Sequence, residues 1–207
     1  MNENIPDIFT VEDAKYFMSQ YKAPLKALSL MVEKGELVHL KRGLYAKKAS
    51  FEPLKAAYPL RSPSYISYET ALSYYGLIPE RVEQISSVVD GRAGTLVANG
   101  ITYSYSSQNR KLYSLGMSLE FIGDYPIPIA CPEKAVLDTL AKAKLLTADL
   151  TGKDIFTYLV DGLRIEESQL MDLSDNKLGA LAPLYRSNAP GLFVEELSKL
   201  KMGSNDE

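Results

Sequence analysis

Cysteine and histidine are almost missing from this chain: Cys131 and His39 are the single examples of each among 207 residues, and there is no tryptophan. One thiol cannot close an intramolecular disulfide, and no Cys/His cluster is available to hold zinc. A solitary histidine also removes most hydrolytic triads, and no glycine-rich phosphate loop, nucleophile elbow or dinucleotide fingerprint occurs. A metal site would need carboxylates, and no acidic spacing matches a loop of that kind. No apolar run approaches the roughly eighteen residues of a membrane helix. The start, Met1-Asn2-Glu3-Asn4, lacks the basic and apolar regions of a secretory signal. These absences predict a cytoplasmic protein that is not an enzyme, with no cofactor, no metal and no membrane partner.

What is present suits a folded chain. Hydrophobic residues make up 46% and charged residues 24%, ordinary for a globular protein and enough to bury a core. The net charge of −3 argues against a nonspecific nucleic-acid coat, but the charge is unevenly placed. Between residues 22 and 48 seven basic residues face two acidic ones, a local excess of five, whereas the chain from 49 onward is net acidic by five. A basic element on an acidic body is how a selective DNA reader avoids indiscriminate binding; a solvated charged face is the bland alternative.

The first sixty residues carry a recognisable order. Thr10 is placed to cap a helix running from Val11 to about Tyr21, with Glu12 and Asp13 at its positive end and Val11, Ala14, Phe17 and Met18 on one face. Pro24 opens a second helix to Lys34, whose Leu25, Leu28, Met31 and Val32 can face a core and which Gly35 ends. Leu37 to Leu40 then predicts a strand, Lys41-Arg42-Gly43 a tight turn and Leu44 to Ala46 the returning strand. Helix, turn, helix and hairpin is winged-helix order, in which the second helix enters the major groove and the hairpin lies along the phosphates. Lys22, Lys26, Ser29, Lys34, Lys41, Arg42, Lys47 and Lys48 are the candidate DNA contacts. Leu25, Ala27 and Leu30 leave the second helix few side chains for bidentate base contacts, which keeps open a protein-interaction module without sequence-specific DNA binding. The first helix of a three-helix module is not evident, since only ten residues containing Pro6 precede Val11, so another segment must cover that face.

Three further strings have a common likeness. Gly35-Glu36-Leu37-Val38-His39-Leu40-Lys41-Arg42-Gly43-Leu44-Tyr45 resembles the wing of the AbiEi antitoxin family, the regulator half of type IV toxin-antitoxin and phage abortive-infection pairs. Ser64-Tyr65-Ile66-Ser67, Glu69-Thr70-Ala71-Leu72 and Tyr75-Gly76-Leu77-Ile78-Pro79 resemble that family's central signature, and Ile129-Ala130 with Pro132-Glu133-Lys134-Ala135-Val136-Leu137-Asp138 is a third match in the right order. The resemblance implies an N-terminal winged helix that binds inverted repeats in its own promoter. It also implies a C-terminal domain that neutralises a nucleotidyltransferase toxin, functionally and without a stable complex.

Beyond residue 49 the pattern changes. Residues 49–63, with Pro53, Pro59 and Pro63, predict a proline-punctuated connection, with a domain boundary near residue 60. Ser67 can cap a short helix to Tyr74, ended by Gly76; Tyr65, Tyr68, Tyr74 and Tyr75 suit a core with hydroxyls at its rim better than a base-stacking site. Residues 84–89, 100–105, 119–122 and 127–130 predict strands of an antiparallel or mixed sheet, separated by polar loops at 90–94 and 107–111 whose Arg92, Arg110 and Lys111 serve solubility or extend a DNA footprint. Pro132 starts a helix to about Lys144 with Ala135, Val136, Leu140 and Ala143 inward. Its Glu133, Lys134 and Asp138 lack acid–base partners, and a structural cap and salt bridge are the better reading. Short helices at 154–160, 166–173, 175–185 and 191–200 complete a helical end.

The expectation is thus an α+β protein: a winged helix-turn-helix at 1–60, a larger mixed α/β domain at 61–202 and a tail at 203–207. Its expected role is a transcriptional autorepressor and antitoxin acting on double-stranded DNA, self-associating on the operator because such modules read inverted repeats in pairs.

Overall fold

The computed structural model describes residues 5–80, 82–143 and 150–203, and within them ten α-helices and two β-sheets form a mixed α+β fold. Strand β1 (Ile8–Thr10) leads directly into α1 (Val11–Phe17). The Thr10 hydroxyl accepts the Asp13 N–H at 3.2 Å while the Asp13 carboxylate accepts the Thr10 N–H at 2.8 Å, so two otherwise orphaned donors are satisfied reciprocally. The helix stops at Phe17, one turn short of the expected Tyr21: the Tyr21 N–H bonds the Met18 carbonyl in a turn. Pro24 occupies the first turn of α2 (Pro24–Glu33), and Ala23 before it is held out of the helical region, which keeps the two helices separate. Gly35, at φ +71°, makes the left-handed exit from α2.

Strands β2 (Leu37–Lys41) and β3 (Leu44–Lys47) pair antiparallel, and β1 adds to the other side of β3. This third strand supplies the cover for which the sequence offered no helix. Ile5 and Phe9 bury with Ala14, Met18, Leu28 and Leu37, and the Phe9 ring stacks on Tyr45 with centroids 6.1 Å apart.

Residues 53–60 are not an extended connection but a helix, α3 (Pro53–Leu60). Pro53 sits in its first turn, where the missing N–H has no intrahelical partner to lose, and Pro59 falls in its last. The alanines and leucine between them, Ala56, Ala57 and Leu60, are buried. The chain continues through β4 (Ser64–Ile66), α4 (Tyr68–Tyr74), β5 (Gln84–Val89), β6 (Gly94–Ala98), β7 (Ile101–Ser107), α5 (Arg110–Tyr113), β8 (Met117–Ile122) and β9 (Tyr125–Ala130). Strand β6 was not foreseen, and α5 replaces the end of the expected 107–111 loop. The six strands form one mixed sheet in the order β6-β7-β5-β4-β9-β8, with β4–β9 and β5–β7 parallel and the remaining pairs antiparallel.

Register decides which layer covers which face. Tyr65 lies opposite Val88, and Tyr105 opposite Ser87, so alternation along β5 sends the two tyrosines to opposite faces. On one face Tyr103 and Tyr105 donate to the α3 carbonyls of Pro53 and Ala57 at 3.1 and 2.7 Å. On the other, Tyr65 meets α6 (Pro132–Lys142), beyond which lie α7 (Gly152–Thr157), α8 (Glu167–Met171), α9 (Asp175–Leu181) and α10 (Ala189–Gly203). The expected end of α6 at Lys144 lies outside the described residues, as do residues 204–207 of the expected tail; Met202 and Gly203 belong to α10. Among the described residues no helix is long and apolar enough to cross a membrane.

The N-terminal module is fastened to α3. Ile8, Val38, Leu40, Leu44 and Ala46 share one buried cluster with Ala56, Ala57 and Leu60. Lys55, itself buried, donates to the Asp7 carboxylate at 2.5 Å, and Ser50 donates to the same group at 2.7 Å. The Lys55 hydrogen bond, then that of Ser50, holds the Asp7 carboxyl below its ordinary value of 3.8. A depressed folded-state value means that this bond stabilises the fold above about pH 4 and ceases to do so as pH falls through the lower folded value. Asp7→Asn is therefore expected to lower unfolding free energy by about 1 kcal/mol near neutrality, with the deficit shrinking on acidification, as measured by urea unfolding of both proteins over a pH series. A deficit that grows towards acid would contradict the assignment.

Candidate nucleic-acid interface and buried polar cluster

Helix α2 sorts its residues by the three-and-four rule. Leu28 points inward and is 2% exposed; Leu25, expected inward one turn before it, is instead 52% exposed, and Leu30, on the far side of the helix, is 45% exposed and does not pack under the body. Lys22, Lys26, Ser29 and Lys34 are all exposed on or beside this outward surface, together with Glu33. The Ser29 hydroxyl donates back to the Leu25 carbonyl at 3.1 Å, one turn earlier in its own helix. The outward face of α2 is therefore a mixture of lysine ammonium groups, two leucines and a serine.

The hairpin turn separates two residues that the sequence had treated alike. Arg42 is exposed at the tip, with no partner among the described residues. Lys41 has an exposed stem, but its ammonium turns back to donate to the carbonyls of Pro59 and Leu60 at 2.9 and 2.6 Å, at the C-terminal end of α3. Those carbonyls are the negative end of a helix, where a cation belongs. Desolvation by this docking pushes the Lys41 ammonium below its ordinary pKa. The structure thus gives Lys41 a role in joining hairpin to body and leaves Arg42 as the outward cation of the turn. Lys47 is half-buried and Lys48 exposed at the far end of the hairpin.

A second polar constellation lies inside the body. Lys134 and Asp138, one turn apart on α6, are both fully buried and form an ion pair at 3.3 Å. Asp138 also accepts from Ser67 at 2.6 Å, Gln108 at 2.5 Å and Tyr185 at 2.5 Å, while Gln108 accepts from Tyr65 at 2.9 Å. Burial dominates here: it pushes the Lys134 ammonium down, against the pull of Asp138, and the Tyr65 and Tyr185 phenols far up, so both phenols stay protonated as donors. Ser67 occupies the cap position of α4 but makes no capping bond, because its hydroxyl goes to Asp138. The neighbouring Glu133 accepts the Ser174 N–H at 3.1 Å at the start of α9 and pairs with Lys177 at 3.3 Å, the cap and salt bridge expected of it. Although burial opposes its charge, those backbone hydrogen bonds hold the Glu133 carboxyl below the usual range.

Tyr68 begins α4 at φ +57°, a left-handed conformation that costs a bulky residue about 1–3 kcal/mol. Its ring is buried in the wall of a cavity of about 550 Å³ whose floor includes Asp138 and Gln108 and whose rim includes Lys142 and Arg186. Tyr65 and Tyr68 are thus core tyrosines, and Tyr74 and Tyr75 are half-buried. Gln108 and Tyr185 had no signal in the sequence, since each reaches Asp138 from a segment 30 or more residues away.

No family model matches the chain, and no curated protein matches it. Among solved structures it is similar in fold to the RV2827C protein from Mycobacterium tuberculosis, with a TM-score of 0.59 and 15% identity over 93% of this chain and 71% of that one. At that identity the likeness shows the fold alone. It extends to both sheets, because nearly the whole chain is covered.

The Asp138 cluster makes a sharp prediction for stability. Removing the acceptor leaves a buried ammonium without its counter-charge and takes an acceptor from an amide and two hydroxyls, so Asp138→Ala should lower unfolding free energy by about 3–5 kcal/mol in a denaturant titration. A loss below about 1 kcal/mol would show that water reaches the site and that the cluster does not organise the body.

Proposed function

We propose that residues 5–48 form a winged helix that binds double-stranded DNA, and that the chain is a transcriptional autorepressor and antitoxin of the AbiEi type, opposing a nucleotidyltransferase toxin without a stable complex. The observation that carries the reading is the layout of the N-terminal module. Helices α1 and α2 pack on a three-stranded sheet whose β2–β3 turn presents Arg42, while α2 turns Lys26 and Ser29 outward with Lys22 just before it. A helix with outward lysines beside a basic hairpin tip can meet a groove and its flanking phosphates together. The similarity of the 35–45, 64–79 and 129–138 strings to AbiEi antitoxins supports the same reading and supplies the promoter's inverted repeats as the expected target.

A cytoplasmic, non-enzymatic regulator that assembles in pairs on its operator follows from the proposal. A protein-interaction module without sequence-specific DNA binding is the second reading. It is favoured by one specific feature, the exposure of two large apolar side chains, Leu25 and Leu30, on α2.

A mobility-shift assay on the DNA upstream of the gene separates the two. The DNA-binding reading expects selective binding over scrambled duplex, falling steeply with added salt and weakened by about tenfold or more in Lys26→Ala/Arg42→Ala. Absence of any selective shift at low salt, with Leu25→Ser/Leu30→Ser altering capture of a protein partner instead, would establish the second.

A further inference from the structure

The cavity beside the Asp138 cluster has the chemistry of a ligand site that the DNA-binding reading does not use. Its volume of about 550 Å³ falls in the range of pockets that enclose small molecules. Its walls combine two aromatic rings, Tyr68 and Tyr185, with the amide of Asn109 and the hydroxyls of the β7 end. Asn109 accepts the Lys111 N–H through its side-chain oxygen at 3.0 Å, which leaves the amide N–H groups for another acceptor.

Charge narrows the ligand class. Among the described residues the lining has one carboxylate, Asp138, which is matched by Lys134 at 3.3 Å and already accepts from Ser67, Gln108 and Tyr185, so it presents no unmet negative charge to the cavity. Two cations at the rim are unmatched. Lys142 lies over the Tyr68 ring at 4.2 Å from its centroid and has no carboxylate partner among the described residues. Arg186 has neither ion pair nor hydrogen bond among them. Two uncompensated cations at the mouth of an aromatic and amide-lined cavity select an anion joined to a planar, hydrogen-bonding group.

We propose that this cavity binds a nucleoside phosphate, with the base against its tyrosine-lined wall near Asn109 and the phosphate at Lys142 and Arg186. The preformed network beneath supports the assignment. Lys134, Gln108 and Tyr185 are all held by Asp138, and Lys134 also donates to Gln108, so the walls are organised before a ligand arrives. The left-handed backbone of Tyr68 fixes one of the rings at the cavity wall.

Isothermal titration calorimetry of the full chain with AMP, GMP, CMP and UMP, set beside inorganic phosphate and the four unphosphorylated nucleosides, tests the proposal. The expected result is saturable binding of at least one nucleotide, at least about tenfold tighter than phosphate or its own nucleoside, since base and phosphate each contribute contacts. Lys142→Ala/Arg186→Ala, two exposed positions that leave the core intact, should weaken it by about tenfold or more, while Arg42→Ala in the N-terminal module leaves it unchanged. Absence of nucleotide binding up to about 1 mM overturns the proposal, as does phosphate binding as tightly as every nucleotide, or binding that survives the double replacement.

Discussion

The Lys134–Asp138 pair is the constraint on which the larger part of the molecule depends. Two charges held out of water on one helical turn are tolerable only when the remaining lone pairs and protons find partners, and here the partners come from three distant places. Ser67 brings the junction of β4 and α4, Gln108 the end of β7, and Tyr185 the segment between α9 and α10. Each of these must be correctly placed for the pair to stay buried. The cluster therefore couples the central strands to the C-terminal helices in a way that apolar packing, which tolerates exchange of one side chain for another, does not.

The N-terminal module depends on this body through α3. Tyr103 and Tyr105 hold α3 to the sheet by its carbonyls, and α3 in turn receives Lys41 at its C-terminal end and lends Lys55 to Asp7. The hairpin and β1 add Ile8, Val38, Leu40, Leu44 and Ala46 to the principal core. Anchoring therefore falls on the sheet of the module, whereas α2 contributes Leu28 to the smaller N-terminal core and keeps its other side exposed. That division is what the proposed reader of DNA requires, a supported helix with a free face.

Local signals in the sequence were legible where local physics dominates. Thr10 with Asp13, Pro24 with Gly35, and the turn at Arg42-Gly43 marked α1, α2 and the hairpin, because caps, prolines and glycines act on their own neighbours. Pro132 and the inward Ala135, Val136 and Leu140 marked α6 for the same reason. Helix α3 is hidden in the sequence because prolines usually break helices, whereas these sit in its first and last turns, where they do not. Strand β6 alternates in burial, but its exposed positions include the apolar Val97, so the run Leu96-Val97-Ala98 hides that alternation in the sequence. Of the Asp138 cluster, the α6 pair was visible by its spacing. Gln108 and Tyr185 were not, since their roles are set by tertiary approach alone.

In the proposed DNA reader, the exposed side of α2 and the tip of the hairpin would meet the duplex while the rest of the module stays anchored. Hydrogen–deuterium exchange of the full chain, alone and with duplex from its own upstream region, tests this most directly. Slowed exchange is expected within residues 22–34 and at the 41–43 turn, with the α3 and α6 amides unchanged. Unchanged exchange in both of those segments, with slowing elsewhere in the chain, would contradict it.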